Sequence, residues 1–439
     1  MAREPSSVEI RAYQVGFGDC FLVTFVYDAN DRRSVLIDFG TTELPAVGGR
    51  RLQPSKHMPL VASEIQRDCG GSLTAVVATH RHADHISGFS TETATGKSGE
   101  IIKQLKPKVV LQPWTEDPDA ATDATKATRD SNRSPKSFTS GLQAMHDIAR
   151  DVVAIAARPP AWMSAALRKE LAFIGEDNIR NKSAVQNLLA MGAARGARAV
   201  WAHHGSPSGL DPLLPGVKVH VLGPPSLEQT ENIRKQRSRD PDQFWHLLAG
   251  PRALQGANVL AHGVARAGSD RTVPVEARWF RERLDRMRGD QLLQIVRTLD
   301  NQMNNTSLIL LFEVGGRKLL FPGDAQIENW SYALQEAGDA AKTRALLADV
   351  DVYKVGHHGS LNATPKKLLW ENFAKKGKTK RLRTLLSTLP GKHGKVASKT
   401  EVPRRSLLEA LENETTLLNT HDYPLGQNMR LAEKVVIGV

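Results

Sequence analysis

The sequence predicts an α/β fold, and three observations predict it. The chain opens with apolar runs at hairpin spacing, then alternates strand and helix, and returns to strand-rich sequence beyond residue 303. Val8 to Tyr13 alternates apolar and polar residues, as a half-buried strand does. Gly16-Phe17-Gly18-Asp19 breaks it, and Cys20 to Val26 reads as a second strand. Asp31-Arg32-Arg33 turns the chain into a third strand, Ser34 to Asp38, ending in Phe39-Gly40. Pro59 to Cys69 reads as a helix stopped by Gly70-Gly71, and Leu73 to Ala78 as a buried strand. A helix near Glu100 to Leu105 and a strand from Lys108 to Gln112 continue the alternation.

Two segments depart from this rhythm. Residues 115–140 are rich in Thr, Asp, Ser and Lys and read as a surface loop or lid, and 141–198 as an inserted helical segment. Strands at Ala199 to Trp201 and Val217 to Leu222 follow, then a charged helical stretch over 226–303. The last third gives a hairpin (Ser307 to Val314, Lys318 to Phe321), a helix over 327–348 and a strand from Val350 to Val355. A strand near Thr384 to Ser387, a helix from Pro403 to Leu411 and closing strands near 416–419 and 435–437 complete it.

The chemistry concentrates after the Leu73 to Ala78 run, in Thr79-His80-Arg81-His82-Ala83-Asp84-His85. If strand geometry persists into His80 and His82, the period of two places both imidazoles on one face. Asp84 and His85 follow where the chain leaves the sheet and can address a second position. Imidazole with carboxylate suits zinc, or manganese and iron where oxygen ligands weigh more. A lone His-x-His is a weak signal, because scattered histidines are usually solvated or satisfied in a core. The full string is a much stronger one.

Composition bounds the rest. The 439 residues suffice for one elaborate domain or two ordinary ones, and 40% hydrophobic with 24% charged residues is globular. Two cysteines, Cys20 and Cys69, exclude a disulfide scaffold and fit a reducing compartment; Cys20, inside a strand, reads as core. No apolar run approaches the roughly 20 residues that span a bilayer, and no apolar core follows the N-terminal charges. The expectation is a soluble, cytoplasmic protein with no membrane association. A net charge of +12 favours anionic partners, nucleic acid among them, as evenly as it fits an ordinary basic protein. Arg234 to Arg237, Arg278 to Arg288 and Lys375 to Arg381 could follow a phosphate backbone, although each run is more often a solvated face. There is no G-x-S-x-G elbow, phosphate-binding G-x-x-x-x-G-K loop or dinucleotide fingerprint, so serine hydrolases, ATPases and dehydrogenases have no support.

The order of motifs carries a resemblance. Strands ending in H-x-H-x-D-H, then Gly323-Asp324, then a strand and His357-His358 resemble the metallo-β-lactamase fold of metal-dependent hydrolases. More narrowly, Val15-Gly16-Phe17-Gly18-Asp19, Leu36 to Gly40, Asn304 to Leu308, Pro322 to Ala325 and Lys354 to Ser360 resemble the hydrolase domain of bacterial competence DNA-uptake proteins. The resemblance implies a four-layer αββα sandwich with metals at one edge, and hence a single domain over 1–439 carrying insertions at about 115–200 and 226–303.

It further implies two ions, zinc or manganese. His80 and His82 would hold the first; Asp84, His85 and His357 or His358 the second, with His357 favoured as the earlier residue off its strand. Asp324 would bridge both by offering one oxygen to each, against the plainer reading of a helix N-cap. The usual third histidine of the first site has His146, His203, His204 and His220 as contenders, and relatives of the uptake type often lack it. Asp38 would orient a ligand histidine or merely cap a turn. Asp19 and its glycines would shape a close backbone approach beneath the metals. Asp84 or a metal-bound water would handle the proton, and Lys354 and Ser360 could reach a substrate phosphate or be ordinary loop residues. The expected activity is hydrolysis of phosphodiesters, as a nuclease or phosphodiesterase, through a metal-activated water. The alternatives are a hydrolase of small esters, lactones or amides, and a non-catalytic binding module.

Overall fold

The computed structural model describes residues 3–117, 181–230, 304–360, 362–379, 381–392, 401–424 and 429–439. The expected lid beyond residue 117, most of the 141–198 helical segment, the 231–303 stretch, His146 and the basic runs at Arg234 and Arg278 lie outside the described residues.

The strands are β1 (Ser7–Tyr13), β2 (Cys20–Val26), β3 (Arg32–Phe39), β4 (Ala46–Val47), β5 (Arg50–Arg51), β6 (Ala75–Val77), β7 (Val109–Pro113), β8 (Arg198–Ala202) and β9 (Val217–Gly223). They continue with β10 (Ile309–Val314), β11 (Arg317–Phe321), β12 (Val352–Lys354), β13 (Arg383–Leu386), β14 (Thr416–Asn419) and β15 (Ala432–Gly438). One sheet runs in the order β15-β1-β2-β3-β6-β7-β8 and the other β14-β13-β12-β11-β10-β9, with β4 and β5 as a separate hairpin. Alternate residues of β1 (Val8, Ile10, Ala12) and β2 (Phe21, Val23, Phe25) meet Leu310 and Phe312 of β10 and Phe321 of β11 in the central apolar layer. The outer face of the first sheet buries Leu22, Leu36 and Val76 against the helices Pro54–Asp68, Ser98–Gln104 and Lys182–Gly192. The second covers Leu311, Leu320 and Tyr353 with the helices Ile327–Ser331 and Arg405–Glu414, among others. The central strands of both sheets are thus covered on both faces, which is why β2, β3, β6, β7 and β10 read as nearly continuous apolar runs. The outer β1 and β15 alternate or stand partly exposed. The result is the four-layer αββα sandwich typical of the metallo-β-lactamase fold.

In the first sheet β3, β6, β7 and β8 run parallel, and in the second β11, β12, β13 and β14 do. Parallel neighbours need crossover connections, supplied here by helices, and functional groups gather beyond the carboxyl ends of such strands. Three expectations shift. The first helix starts at Pro54, a tolerated N-terminal position, and Pro59 lies inside it. A proline there leaves Ser55 O without its helical donor; Gly96 approaches that oxygen so closely that a Cβ would sit 2.1 Å from it. The expected helix over 327–348 is broken into Ile327–Ser331, a wide turn at Tyr332–Glu336 and Ala340–Ala348. Gly338 falls in the break, where glycine is a poor helix former. Finally, β6 ends at Val77, so His80 and His82 are not strand residues.

Candidate metal centre

Asp38 explains why β6 stops short. Its Oδ1 accepts the Thr79 N–H at 2.7 Å and its Oδ2 the Thr79 hydroxyl at 2.7 Å, so the amide is taken by a side chain instead of the ladder. Ile37 pairs with Val77 in the parallel register, which sets Asp38 beside Thr79. Asp38 adopts φ of 55°, a left-handed conformation that side chains other than glycine rarely take, held here by these bonds. Beyond Thr79 the chain turns into the short helix Ala83–Ile86. The turn still brings His80 Nε2 within 2.9 Å of His82 Nδ1. The expected convergence of these rings occurs, through a turn instead of a strand face.

Four groups from both sheets meet next to this turn. One ligand atom each from Asp84, His85, Asp324 and His358 lies within 4.8 Å of the others. Asp324 Oδ2 is 3.0 Å from His85 Nε2, and Asp84 Oδ2 is 3.0 Å from His358 Nε2. His85 Nδ1 donates to Asp38 Oδ2 at 2.7 Å, and His358 Nδ1 to Ser387 O at 2.9 Å. Both acceptors lack a proton of their own, so each ring keeps a hydrogen on Nδ1 and faces the cluster with Nε2, the position that can ligate once its own proton leaves. Two imidazole Nε2 positions thus face two carboxylates in a buried space, joined by protons in the metal-free fold or by a cation that displaces them. Apart from that 3.0 Å contact with each other, His85 Nε2 and Asp324 Oδ2 are buried without a hydrogen-bond partner among the described residues. The donor set fits a divalent ion.

The carboxylates set the charge of these rings. Burial opposes a charge on His85, but the carboxylates of Asp324, Asp38, Asp84 and Asp19 outweigh it and hold its pKa well above the ordinary histidine value. His358 is raised for the same reasons, with Asp19 foremost among the carboxylates. His80 goes the other way: burial and the neighbouring His85 and His82 keep it neutral far below the usual range. Asp324, though fully buried, stays ionised to low pH because His85, His357 and Lys354 surround it.

Several expectations need correction. His358, not His357, joins the four-residue group; the His357 side chain is 25% exposed and its Nε2 is 3.9 Å from Asp324 Oδ2. Both residues have positive φ, 46° and 52°, and this left-handed turn swings the second ring inward, where it rests on Phe17 with centroids 4.3 Å apart. Asp324 is no N-cap, since Gln326 holds that position. Nor does it present both oxygens: Oδ1 accepts from His357 N at 3.0 Å and faces Lys354 Nζ at 3.4 Å, leaving Oδ2 for the cluster. Lys354 is 2% exposed, bonded to Gly323 O and ion-paired with Asp19 Oδ2, so it cannot reach a substrate. Its pKa is raised because Asp19 and Asp324 offset its burial.

Among the contenders for a third histidine, His204 bonds Leu222 O and Asp339, and His220 bonds Glu313. His203 Nδ1 contacts His204 O. The basic loop at Lys375 to Arg381 flanks the beginnings of β13 and β14, the end of the sandwich opposite the cluster. Residues 115–117, expected in a surface loop, are buried.

Asp19 and its glycines do form a close approach. Gly40 packs so tightly on Asp84 and His85 that a Cβ would lie 2.4 Å from their backbone, and Asp19 N donates to Asp84 O at 2.8 Å. Three contributors were missed. Thr79 links Asp38 to the histidines, and Ser387 supplies a carbonyl that no side-chain motif announces. Glu116 grips Arg81 between the two histidines, its oxygens 3.0 and 2.8 Å from Arg81 Nε. An arginine inside the H-x-H string was the available signal for that last pair.

No family model matches the chain, and no curated protein matches it. The likeness is therefore carried by the arrangement itself: a sandwich that ends strands of both sheets on one buried His/Asp cluster bears the structural signature of a metal-dependent hydrolase of the metallo-β-lactamase superfamily.

Proposed function

We propose that the protein hydrolyses phosphodiesters with two divalent cations, zinc or manganese, at this cluster. The observation that carries the metal reading is a buried concentration of carboxylates and imidazoles whose ligand atoms lie within 4.8 Å of one another. Asp19, Asp38 and Asp324 are buried, and the Asp84 side chain is 13% exposed. Among the described residues the one ammonium beside them is Lys354, with protons on His85 and His358 supplying the balance in the metal-free fold. Buried charge is costly unless compensated, and divalent ions compensate it. Asp84, His85, Asp324 and His358 would hold one ion, and His80 and His82 the other. When bound, such ions lower the pKa of water toward about 7 and neutralise charge developing on the substrate oxygens.

The chain's own groups do the remaining work. Asp38 and the Ser387 carbonyl keep His85 and His358 in the tautomer that faces the cluster. Asp84 Oδ2 is engaged by His358, and Oδ1, 3.9 Å from His85 Nε2, is the oxygen we assign to accept the attacking water's proton. The anionic substrate class is supported by the net charge of +12, by the motif resemblance to a DNA-uptake hydrolase domain and by a basic rim. Phe17, whose ring lies on His358, pairs with Glu43, and the Glu43 carboxylate binds Arg51 at 2.6 Å and Lys392 at 2.8 Å. Arg50 and Arg51 stand exposed on the same hairpin, so cations outnumber the carboxylate beside the cluster.

Purified protein, stripped of metal and reloaded, should cleave polynucleotides or a bis-aryl phosphodiester with manganese or zinc, and polynucleotide cleavage should weaken as salt rises. Turnover confined to lactones or carboxylic esters would overturn the substrate class. Failure to take up any divalent ion would overturn the site.

A further inference from the structure

Thr79 has one hydroxyl hydrogen and several oxygen and nitrogen neighbours. Its Oγ1 lies 2.7 Å from Asp38 Oδ2, 3.2 Å from His80 Nδ1 and 3.5 Å from His85 Nδ1. An ionised carboxylate only accepts, so the hydrogen goes to Asp38, which is also the shortest of the three contacts. The hydroxyl then has only lone pairs to offer, and His80 must donate to it from Nδ1. That leaves His80 Nε2 as the lone pair, the atom 2.9 Å from His82 Nδ1. Asp38 meanwhile accepts from His85 Nδ1 directly at 2.7 Å. The site of Thr79 is fully buried and fixed from three sides: its amide is held by Asp38, its carbonyl accepts Leu308 N–H at 2.9 Å, and Gly323 abuts its side chain.

We propose that Thr79 is a positioning residue that sets the tautomer of His80, so that Asp38 governs one histidine of each ion's ligand set, His85 directly and His80 through the Thr79 hydroxyl. The inference rests on the metal reading above. It makes an asymmetric claim that a merely structural threonine does not. Without the hydroxyl, Asp38 keeps its bonds to Thr79 N and His85, while His80 Nδ1 loses its acceptor. Only the ion held by His80 and His82 should suffer.

The test is Thr79→Val, which conserves shape and removes the hydroxyl, beside Thr79→Ser, which restores it. Zinc binding to metal-free protein is followed by titration calorimetry and by metal content after dialysis, with thermal denaturation of the metal-free variants as a check on folding. Wild type should take up two ions in separable steps. Thr79→Val should retain one step at wild-type affinity and weaken the other about 10–100-fold, the usual range for losing a group that orients a ligand. Thr79→Ser should recover the weakened step to within a few-fold. Unchanged binding of both ions by Thr79→Val, equal weakening of both, or a serine variant as impaired as valine would overturn the relay. A wild-type protein that takes up no ion overturns the metal reading, and the relay with it. Two ions bound without phosphodiester turnover would overturn only the proposed activity.

Discussion

Lys354→Met removes the one ammonium that, among the described residues, is buried beside the cluster's carboxylates. Asp19, fully buried, pairs with Lys354 Nζ through Oδ2; its other charged neighbours are His85 Nδ1 at 3.6 Å and His358 Nδ1 at 3.7 Å. Removing one member of a buried ion pair costs about 3–5 kcal/mol, because the other charge is left uncompensated. An unfolding entropy near 2.1 cal/mol/K per residue gives about 0.9 kcal/mol/K for a chain of 439 residues. The metal-free variant should therefore melt roughly 3–5 °C lower than wild type. The double variant Asp19→Asn with Lys354→Met leaves neither charge behind and should recover most of that loss. Differential scanning calorimetry of metal-stripped protein measures both. Cation addition should raise the melting temperature of Lys354→Met more than that of wild type, since the ions then replace the missing positive charge. A melting temperature for Lys354→Met within about 1 °C of wild type would refute the reasoning, as would a double variant no better than the single one.

Other outcomes follow from the same geometry. His358→Ala should lose a bound ion by metal analysis, whereas His357→Ala should keep the wild-type stoichiometry. Gly40→Ala should fold poorly or lose metal, because its methyl would lie 2.4 Å from the Asp84 and His85 backbone; circular dichroism melting reads this. Arg50→Ala with Arg51→Ala should raise KM for polynucleotides and flatten the salt dependence by about 2 in logarithmic slope, leaving turnover of a small phosphodiester unchanged. For pH, the carboxylates that outweigh burial raise the pKa of His85 and His358 above 6.5 in the metal-free fold. A raised folded pKa gives stability that is complete below the unfolded value and lost as pH rises through the folded one. Metal-free protein should thus lose melting temperature as pH climbs from about 6.5, while the increment from added cation grows because ions displace those protons.

What was legible in the sequence is what local pattern encodes. The β2 limits, Cys20–Val26, and the span of β14, Thr416–Asn419, follow from apolar runs ended by Asp, Gly or Pro nearby. The H-x-H-x-D-H string and Gly323-Asp324 announced themselves because few roles other than ligation need those residue types together. What stayed hidden depends on contacts between distant segments. Nothing local says that Asp38 will capture the Thr79 amide and end β6 early, or that Lys354 will lie between Asp19 and Asp324. The choice between His357 and His358 turned on two positive-φ residues, a conformation no pattern of polar and apolar residues reveals. A backbone carbonyl such as Ser387 O carries no residue signature at all.

The division of the cluster between the sheets explains why its histidines are set so firmly. The first sheet supplies Asp38, Asp84 and His85, and the second supplies Asp324, Lys354 and His358. The halves differ: the first brings two carboxylates and, with Asp19, a third, while the second brings one carboxylate matched by its own lysine. Closing the sandwich over the central apolar layer pairs Lys354 with Asp19 and sets Asp324 Oδ2 against His85. The apolar layer thus drives together charges that would otherwise repel, and the close glycine contacts leave the backbone no room to relax away. A site assembled this way holds its carboxylates and imidazoles in place before any ion arrives. Preorganisation of that kind lets binding energy go into the ion instead of into ordering the chain.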